Sequence, residues 1–511
     1  MADIKLSERE HPLYGENKDN WAFYQDSAFG GQNMLNETHI FSHRLEESSD
    51  HQERIKRGYF LNFCDTIPNI YNSFIFRENI KRAPDQVLLP FRKDTDGKGT
   101  PITYFVRKAG YYASIFGAIH VLIDLPSEIK KGKVVSKRDV KDRNLFPYAS
   151  FVFPTQLIDW SVDANGELLW IVIQYTYYRD EDPAKEREIE EHYKIITREE
   201  WWIEDETGEK VTFPDTDSNG TNELGFIPLV TMYHSDINDD KIGESMLKDI
   251  AYINRAILNW CSCIDEQIER QTFSQLVIPD DGSMADKEEE GGDPLRAIGT
   301  SSYWTFPSDA GQPPQFIAPD TSTISVIWKI VLDHIKEIYR IARLVGGVGD
   351  LYVSRSGKAA QVSFQSVNSA LSEKASRYEK FENDISETVY TIQNAGLEKF
   401  EKVKYPSSFD ITALGDEIDS YFKVMNGNFS GKLNKIIQKN IARKAVPMAS
   451  ETEKEEVESE IESGDGLITT GIEEDIDIPG EEGNPNVNKL SDTNKSISDK
   501  EKEETQKKKK E

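Results

Sequence analysis

Two long apolar stripes at helical spacing, separated by a segment of unlike character, constrain this chain more than any other feature. The first lies within residues 241–274 and places Ile242, Met246, Ile250, Ile253, Ile257, Trp260, Ile264 and Ile268 at steps of three and four. That spacing is the mark of a helix with one continuous apolar face. Asp239 and Asp240 stand just before it, where acidic side chains satisfy free amide N–H groups and complement the helix dipole. The second stripe starts near Asp320 and Thr321 and carries Ile324, Ile327, Val331, Ile335, Ile338 and Ile341. It is expected to stop at Gly346-Gly347-Val348-Gly349, which is too glycine-rich to continue a helix. Residues 279–319 between the stripes are polar and interrupted by Gly291-Gly292 and Pro313-Pro314. The pattern predicts a helical hairpin with a small subdomain at its far tip, or an ordinary core hairpin with a long loop.

A chain of 511 residues is too long for one core, so two to four structural regions are expected. Its 37% hydrophobic content, with 10% aromatic residues, excludes disorder throughout. No apolar run approaches the roughly 20 residues a membrane-spanning helix needs, and residues 1–10 contain no apolar signal core. Cys64, Cys261 and Cys263 cannot build a disulfide framework. Folding in a reducing cytoplasm is the expectation. The formal net charge of −29 excludes a protein that grips nucleic acid over its general surface, because phosphate binding depends on Lys and Arg. It leaves open a protein past which nucleic acid slides without sticking.

Taken in order, residues 1–45 show no clear period, and Asn20-Trp21-Ala22-Phe23-Tyr24 reads as a packing arm. Ile55, Tyr59, Phe60, Phe63 and Ile67 predict a helix ending near Pro68, and residues 70–80 a second short one. Across residues 88–234 the period changes to two. Residues 102–106 are β-like, residues 109–116 predict a short helix closed by Gly117, and residues 118–124 a buried strand. Asn165-Gly166 between Leu157-Ile158-Asp159-Trp160 and residues 168–178 is the strongest short-range hairpin signal in the chain. Further strands are expected at 192–196, 200–203, 210–213 and 226–230. A long helix follows the glycine break, with Phe364, Val367, Leu371, Ala375, Tyr378, Phe381, Ile385, Val389 and Ile392 as its stripe. Residues 409–414 read as a strand and 418–446 as helical. Beyond Pro447 the acidic, apolar-poor composition predicts a disordered tail.

Candidate chemistry is sparse. Asp236, Asp239, Asp240 and Glu244 gather enough carboxylates for a Mg²⁺ site of the nuclease type. Helix capping accounts for the same residues, and no neighbouring His or Lys completes a catalytic set. Ser356-Gly357-Lys358-Ala359 opens a helix as a phosphate-binding loop does. However, Tyr352 stands where the first glycine belongs and Ala359 replaces the metal-holding hydroxyl. No Gly-x-Ser-x-Gly elbow occurs. Arg355 and Lys358 supply positive charge in a Gly/Ser segment between two long helices.

This order of parts resembles the portal proteins of tailed bacteriophages, ring-shaped vertex proteins through which double-stranded DNA enters and leaves the head. Four stretches carry the likeness: GAIHVLIDLP at 117–126, PTQLIDWSVDANGEL at 154–168, LGFIPLVTMYH leading into IGESMLKDIAYINRAILNWCSCIDEQI within 224–268, and Ser356-Gly357 opening the helix that holds Ser369-Ala370-Leu371. The resemblance implies an α+β, mainly helical fold assembled in a ring. Its divisions here would be an N-terminal arm (1–45), a wing with an antiparallel β insertion (46–235), a first stem helix (236–274), a clip (275–320) and a second stem helix (321–345). A tunnel loop (346–358), a long wing helix (359–402), a crown (403–447) and the disordered acidic tail (448–511) would complete it.

The stem would use Ile250, Ile257, Ile327 and Ile335. Gly346, Gly347, Gly349, Arg355, Ser356 and Lys358 of the tunnel loop would face DNA. The resemblance further implies a non-enzymatic homo-oligomer of twelve subunits with no cofactor or metal. Its partners would be double-stranded DNA without sequence preference, the terminase large subunit, major capsid and scaffolding proteins and a head–tail adaptor. The location would be a capsid vertex of the virion, and the host cytoplasm during assembly. The residues leave two other classes open: a metal-dependent nucleic-acid enzyme built on the cluster 236–244, and a monomeric scaffold or adaptor that docks through its charged tail.

Overall fold

Pro101 holds an extended conformation (φ −66°, ψ 149°) and is followed by fifteen residues, Ile102–Phe116, whose apolar members repeat at helical spacing. Ile102, Phe105, Val106, Ala109 and Ala113 are all buried, so the helical period buries one face along the whole segment. The β-like reading of residues 102–106 is therefore corrected. Their β-branched character is overridden because the same three-to-four spacing continues into the helix beyond them. This helix, α5, organises the larger of two units, Met1–Ile411; the other is Thr412–Glu511. The computed structural model describes residues 5, 9–77, 79–125, 145–179, 184, 186–213, 217–271, 275–280, 303–307, 315–317, 322–344, 357–393, 396, 400–409, 430–445 and 451–463.

Among the described residues four α-helices precede α5: α1 (Pro12–Phe29), α2 (Ser48–Arg57), α3 (Phe63–Ile75) and the short α4 (Leu89–Lys93). The expected arm is thus a core helix. α1 buries Tyr14, Trp21, Tyr24 and Ala28, and the Trp21 indole N–H donates to Phe116 O at 3.1 Å. The stripe expected to run from Ile55 to Pro68 is two helices parted at Gly58, and Pro68 lies inside α3. Buried Arg54 ties α2 onward, giving Nε to Glu46 and Nη1 to Ser262, both at 2.8 Å. Nε together with Nη2, which donates to the other Glu46 oxygen at 2.8 Å, holds the Glu46 carboxyl down at about 2.

Gly117 ends α5 at φ 89°. An added Cβ there would lie 1.9 Å from Gly243 O, and one at Gly243 would lie 2.2 Å from Gly117 O. Two backbones meet at these glycines because neither carries a side chain. Strand β1 (Ala118–Asp124) starts at once and is buried nearly throughout. It is the middle of an antiparallel sheet with β2 (Tyr148–Val152) and β8 (Leu229–Tyr233). Between β2 and β8 runs a five-stranded antiparallel sheet, in order β3 (Leu157–Val162), β4 (Leu168–Arg179), β5 (Glu188–Thr197), β6 (Glu200–Asp205) and β7 (Asn219–Thr221). The Asn165-Gly166 turn is as read, with Gly166 at φ 81°. Two strand expectations need correction. Residues 210–213 contribute one bridge, Lys210 to Glu204, because β7 takes the place beside β6. The strand expected at 226–230 is shifted to Leu229–Tyr233 by its register on β1.

The chain then forms a two-residue ladder, β9 (Asn238–Asp239) on β10 (Ile242–Gly243), and helix α6 (Leu247–Gln271). Three short strands follow, β11 (Gln275–Asp280), β12 (Tyr303–Pro307) and β13 (Gln315–Ile317), in sheet order β12-β11-β13. Helix α7 (Ser322–Ile341) and helix α8 (Gly357–Ile392) close the larger unit. α8 buries Val367, Leu371, Ala375, Tyr378, Phe381, Ile385, Val389 and Ile392. Fully buried Glu382 on α8 receives Arg82 Nε at 2.5 Å, Arg82 Nη2 at 2.9 Å and the Tyr405 hydroxyl at 2.6 Å. With 49% helix and 19% strand, and one parallel strand pair among the described ladders, the fold is α+β.

The smaller unit contributes α9 (Gly431–Ala445) and α10 (Glu451–Ser463), which pack together. The expected tail disorder is corrected for residues 451–463. They are rich in helix-forming Glu, and Val457 and Ile461 stand one turn apart. The rest of the tail, and the expected strand beyond Phe409, lie outside the described residues.

Candidate assembly interface at the helical hairpin

The apolar period alone would start α6 at Ile242, yet the helix starts five residues later. Gly243 must reach Gly117, so residues 238–243 fold back as a ladder with Asp240 at φ 49° in its turn. Asp239 and Asp240 therefore do not cap the helix. The Ser245 hydroxyl does, accepting the Leu247 N–H at 2.9 Å and donating to Ile115 O at 2.5 Å. α7 also ends differently from its sequence reading. Leu344 N–H reaches Tyr339 O at 2.9 Å and Arg343 N–H reaches Arg340 O at 3.0 Å. Arg343 takes the left-handed position at φ 54°, where glycine is usual. The helix thus closes before Gly346 is reached.

Burial divides the hairpin. On α6, Leu247, Ile250, Ala251, Ile257, Leu258, Cys261 and Ile264 are buried. Buried Asn254 also bonds from α6 to the start of α3, donating to Leu61 O at 2.8 Å and accepting from Phe63 N at 3.0 Å. On α7 only Val331, Ile338 and the adjoining Ala342 are buried among the described residues, with Ile327 and Ile335 half-buried. Val326 is 60% exposed, Trp328 44% and Leu332 41%. At about 100° per residue, the apolar arc of α7 from Ile330 through Val331 and Ile335 to Leu332 spans about 200°. One packing neighbour covers roughly half of that.

Of the expected tunnel-loop residues, Gly346, Gly347, Gly349, Arg355 and Ser356 lie outside the described residues. Lys358 falls in the first turn of α8, so the loop ends sooner than residue 358. The carboxylates proposed for a metal do not converge. Asp236 pairs with Arg377 at 2.9 Å, the Asp240 carboxylate accepts the Trp160 indole N–H, and Glu244 pairs with Lys248 at 2.8 Å. The side chain of Asp239 is not among those described. No group of three or more His, Cys, Asp or Glu residues fit to hold a metal occurs among the described residues. Nor is any described helix long and apolar enough to cross a membrane.

Sequence reasoning missed a cavity of about 380 Å³ at the root of the hairpin. Tyr71, His234, Met246, Ala342, Arg343 and Lys374 are among its walls. Lys374, 4% exposed, donates to Ser114 Oγ at 2.5 Å and stands 5.1 Å above the Tyr71 ring. Burial pushes its ammonium down to about 7. Tyr71 donates its hydroxyl to Ala342 O at 2.6 Å, joining α3 to the end of α7. Arg377 pairs with Glu373 at 2.6 Å as well as with Asp236. In sequence Lys374 sits in the run SEKASRYEK, which has the look of a solvated helix face. Only its place on the buried line, three residues after Leu371 and four before Tyr378, hinted otherwise.

Among known proteins, no family model matches the chain, and no curated protein does.

Proposed function

We propose that this protein is a portal of a tailed bacteriophage: a twelve-subunit ring at one capsid vertex that conducts double-stranded DNA during packaging and ejection. The single observation that carries the reading is the uncovered apolar arc of α7, with Trp328 and Leu332 on one flank. A monomer leaves that surface in water. A closed cyclic assembly buries the same patch on every copy without leaving an open end. The element order supports the same reading, with a β-rich wing, two helices joined through a small sheet, and a long helix after a glycine-rich segment.

The net charge of −29 suits a channel that phosphates traverse quickly, because like charge disfavours sticking. Gly346 to Lys358 would then supply brief contacts through Arg355 and Lys358, which carry no sequence information. The terminase, capsid and scaffolding proteins and a head–tail adaptor are the partners of this reading. The enzyme alternative gains no support, since Asp236, Asp240 and Glu244 are paired apart from one another. Negative-stain images of the purified chain test the proposal: closed rings with a central opening are expected, and a monodisperse monomer at micromolar concentration would end it.

A further inference from the structure

The smaller unit carries a charge pattern that a DNA conduit alone does not need. Over Gly431–Ala445, helix α9 holds Lys432, Lys435, Lys439, Arg443 and Lys444 and no Asp or Glu, within a chain of net charge −29. Steps of three, four and four put Lys432, Lys435, Lys439 and Arg443 on one strip, about 80° wide and about 16 Å long at 1.5 Å per residue. α10 is the opposite, with Glu451, Glu453, Glu455, Glu456, Glu458, Glu460 and Glu462 against Lys454.

The acidic helix meets the strip at Glu462. The Lys439 ammonium pairs with the Glu462 carboxylate, and Lys435 Nζ donates to Glu462 O at 2.7 Å. Lys439, with Lys435 and Lys432 behind it, holds the Glu462 carboxyl below its ordinary range. Beside the strip, Ile436 is exposed.

We propose that the basic strip of α9 is a binding surface for the phosphate backbone of duplex DNA, and that α10 is its built-in competitor. The choice of duplex DNA among polyanions rests on the conduit reading above. Duplex DNA carries a charge every ~1.7 Å of axis, so about 16 Å of duplex holds on the order of ten phosphates over both strands, part of which face the strip. Non-specific contacts of this kind have dissociation constants of ~10⁻⁴ to 10⁻⁶ M. A tethered acidic helix presents its carboxylates at an effective concentration of the order of millimolar. Dilute DNA therefore loses to α10, whereas DNA at high local concentration displaces it.

The test is fluorescence anisotropy of the full-length protein with a labelled thirty-base-pair duplex at two salt concentrations. Changing Glu456, Glu458, Glu460 and Glu462 to Gln should tighten binding about tenfold at low salt. It should also steepen the slope of log affinity against log salt by about 2 to 3, near 0.9 for each freed cation. Adding Lys432→Gln, Lys435→Gln and Lys439→Gln should return both quantities to the parent's. The inference is overturned by no gain in the first variant, or by a gain that survives the lysine changes. An equal gain from neutralising Glu473, Glu474, Glu481 and Glu482 also overturns it, because bulk charge alone would then be responsible. A gain toward polyglutamate without one toward duplex overturns the assignment to DNA. Imaging separates the two readings. Rings without the gain sink this inference alone, and the gain without rings leaves the DNA surface standing while the conduit falls.

Discussion

Helices α6 and α7 carry nearly the same sequence pattern and differ in how much of it is covered. Both repeat isoleucine at steps of three and four. On α6, which packs on α1, α3 and α5, Ile250, Ile257 and Ile264 of the stripe are buried, whereas Trp260 and Ile268 stay exposed. On α7 the first half has no fully buried residue before Val331 among those described. Periodicity reports which face of a helix is apolar. It says nothing about what covers that face, and the cover is what decides between a core element and an interface.

The largest expected effect separates the two helices directly. Ile257→Ala on α6 removes a fully buried side chain and should cost about 2–5 kcal/mol, read as a loss of denaturation midpoint. Leu332→Ala on α7 should change the unassembled chain by less than about 0.5 kcal/mol. Trp328→Asp with Leu332→Asp should leave that chain folded by circular dichroism yet abolish rings in mass photometry. If the aspartate pair melts the monomer instead, α7 is a core helix and the contrast is lost.

A second test bears on the root where the two helices meet. Lys374 is held at about 7 when folded against 10.5 in an ordinary setting. Between these values the unfolded chain binds a proton that the folded chain lacks, so stability should rise with pH from about 7 to about 10.5. Below about 7 both states are protonated and the buried ammonium exerts its full penalty. Lys374→Met should therefore stabilise the protein at pH 7 and remove part of the rise, by at most about 1.4 kcal/mol per pH unit. Urea midpoints across pH 7 to 10 check this. A variant with the parent's slope would show that Lys374 stays charged in the fold.

These outcomes also mark how much the sequence could disclose. The hairpin, the strand Ala118–Asp124, the Asn165-Gly166 turn and the line from Val367 to Ile392 follow from period and turn chemistry, which are local. What escaped was set by distant partners. Residues 102–106 needed the rest of α5 to settle their period, and the start of α6 was displaced by the meeting of Gly117 and Gly243. α1 buries its residues at steps of seven, three and four amid polar neighbours, so no stripe announced it. His39 and His43 have the four-residue spacing of a metal pair. In the fold, His39 faces Asp26 and His43 accepts from Leu45 N–H, so the two are turned to separate partners. Lys374, the residue most tied to the root cavity, looked like surface because the groups that enclose it come from α3, α5 and His234 just after β8.

The smallest structural effect is expected beyond α7, in the segment that joins it to α8. α7 already closes in a left-handed turn at Arg343, completed by the Leu344 N–H on Tyr339 O. α8 begins at Gly357, and its buried line is described from Val367 onward, well past its first turn. Arg355→Ala with Lys358→Ala should thus leave thermal stability within about 0.5 kcal/mol and ring formation unchanged. If the ring conducts DNA, the same pair should lower packaging yield or retention of DNA in filled heads. Each lost cation weakens contact with whichever phosphate is passing and does so for every sequence alike. The sequence-independence is the sharper criterion, since a defect confined to one genome sequence would point to base recognition. Unchanged packaging in the double variant would make the segment a plain connector and leave the hairpin's role as assembly alone.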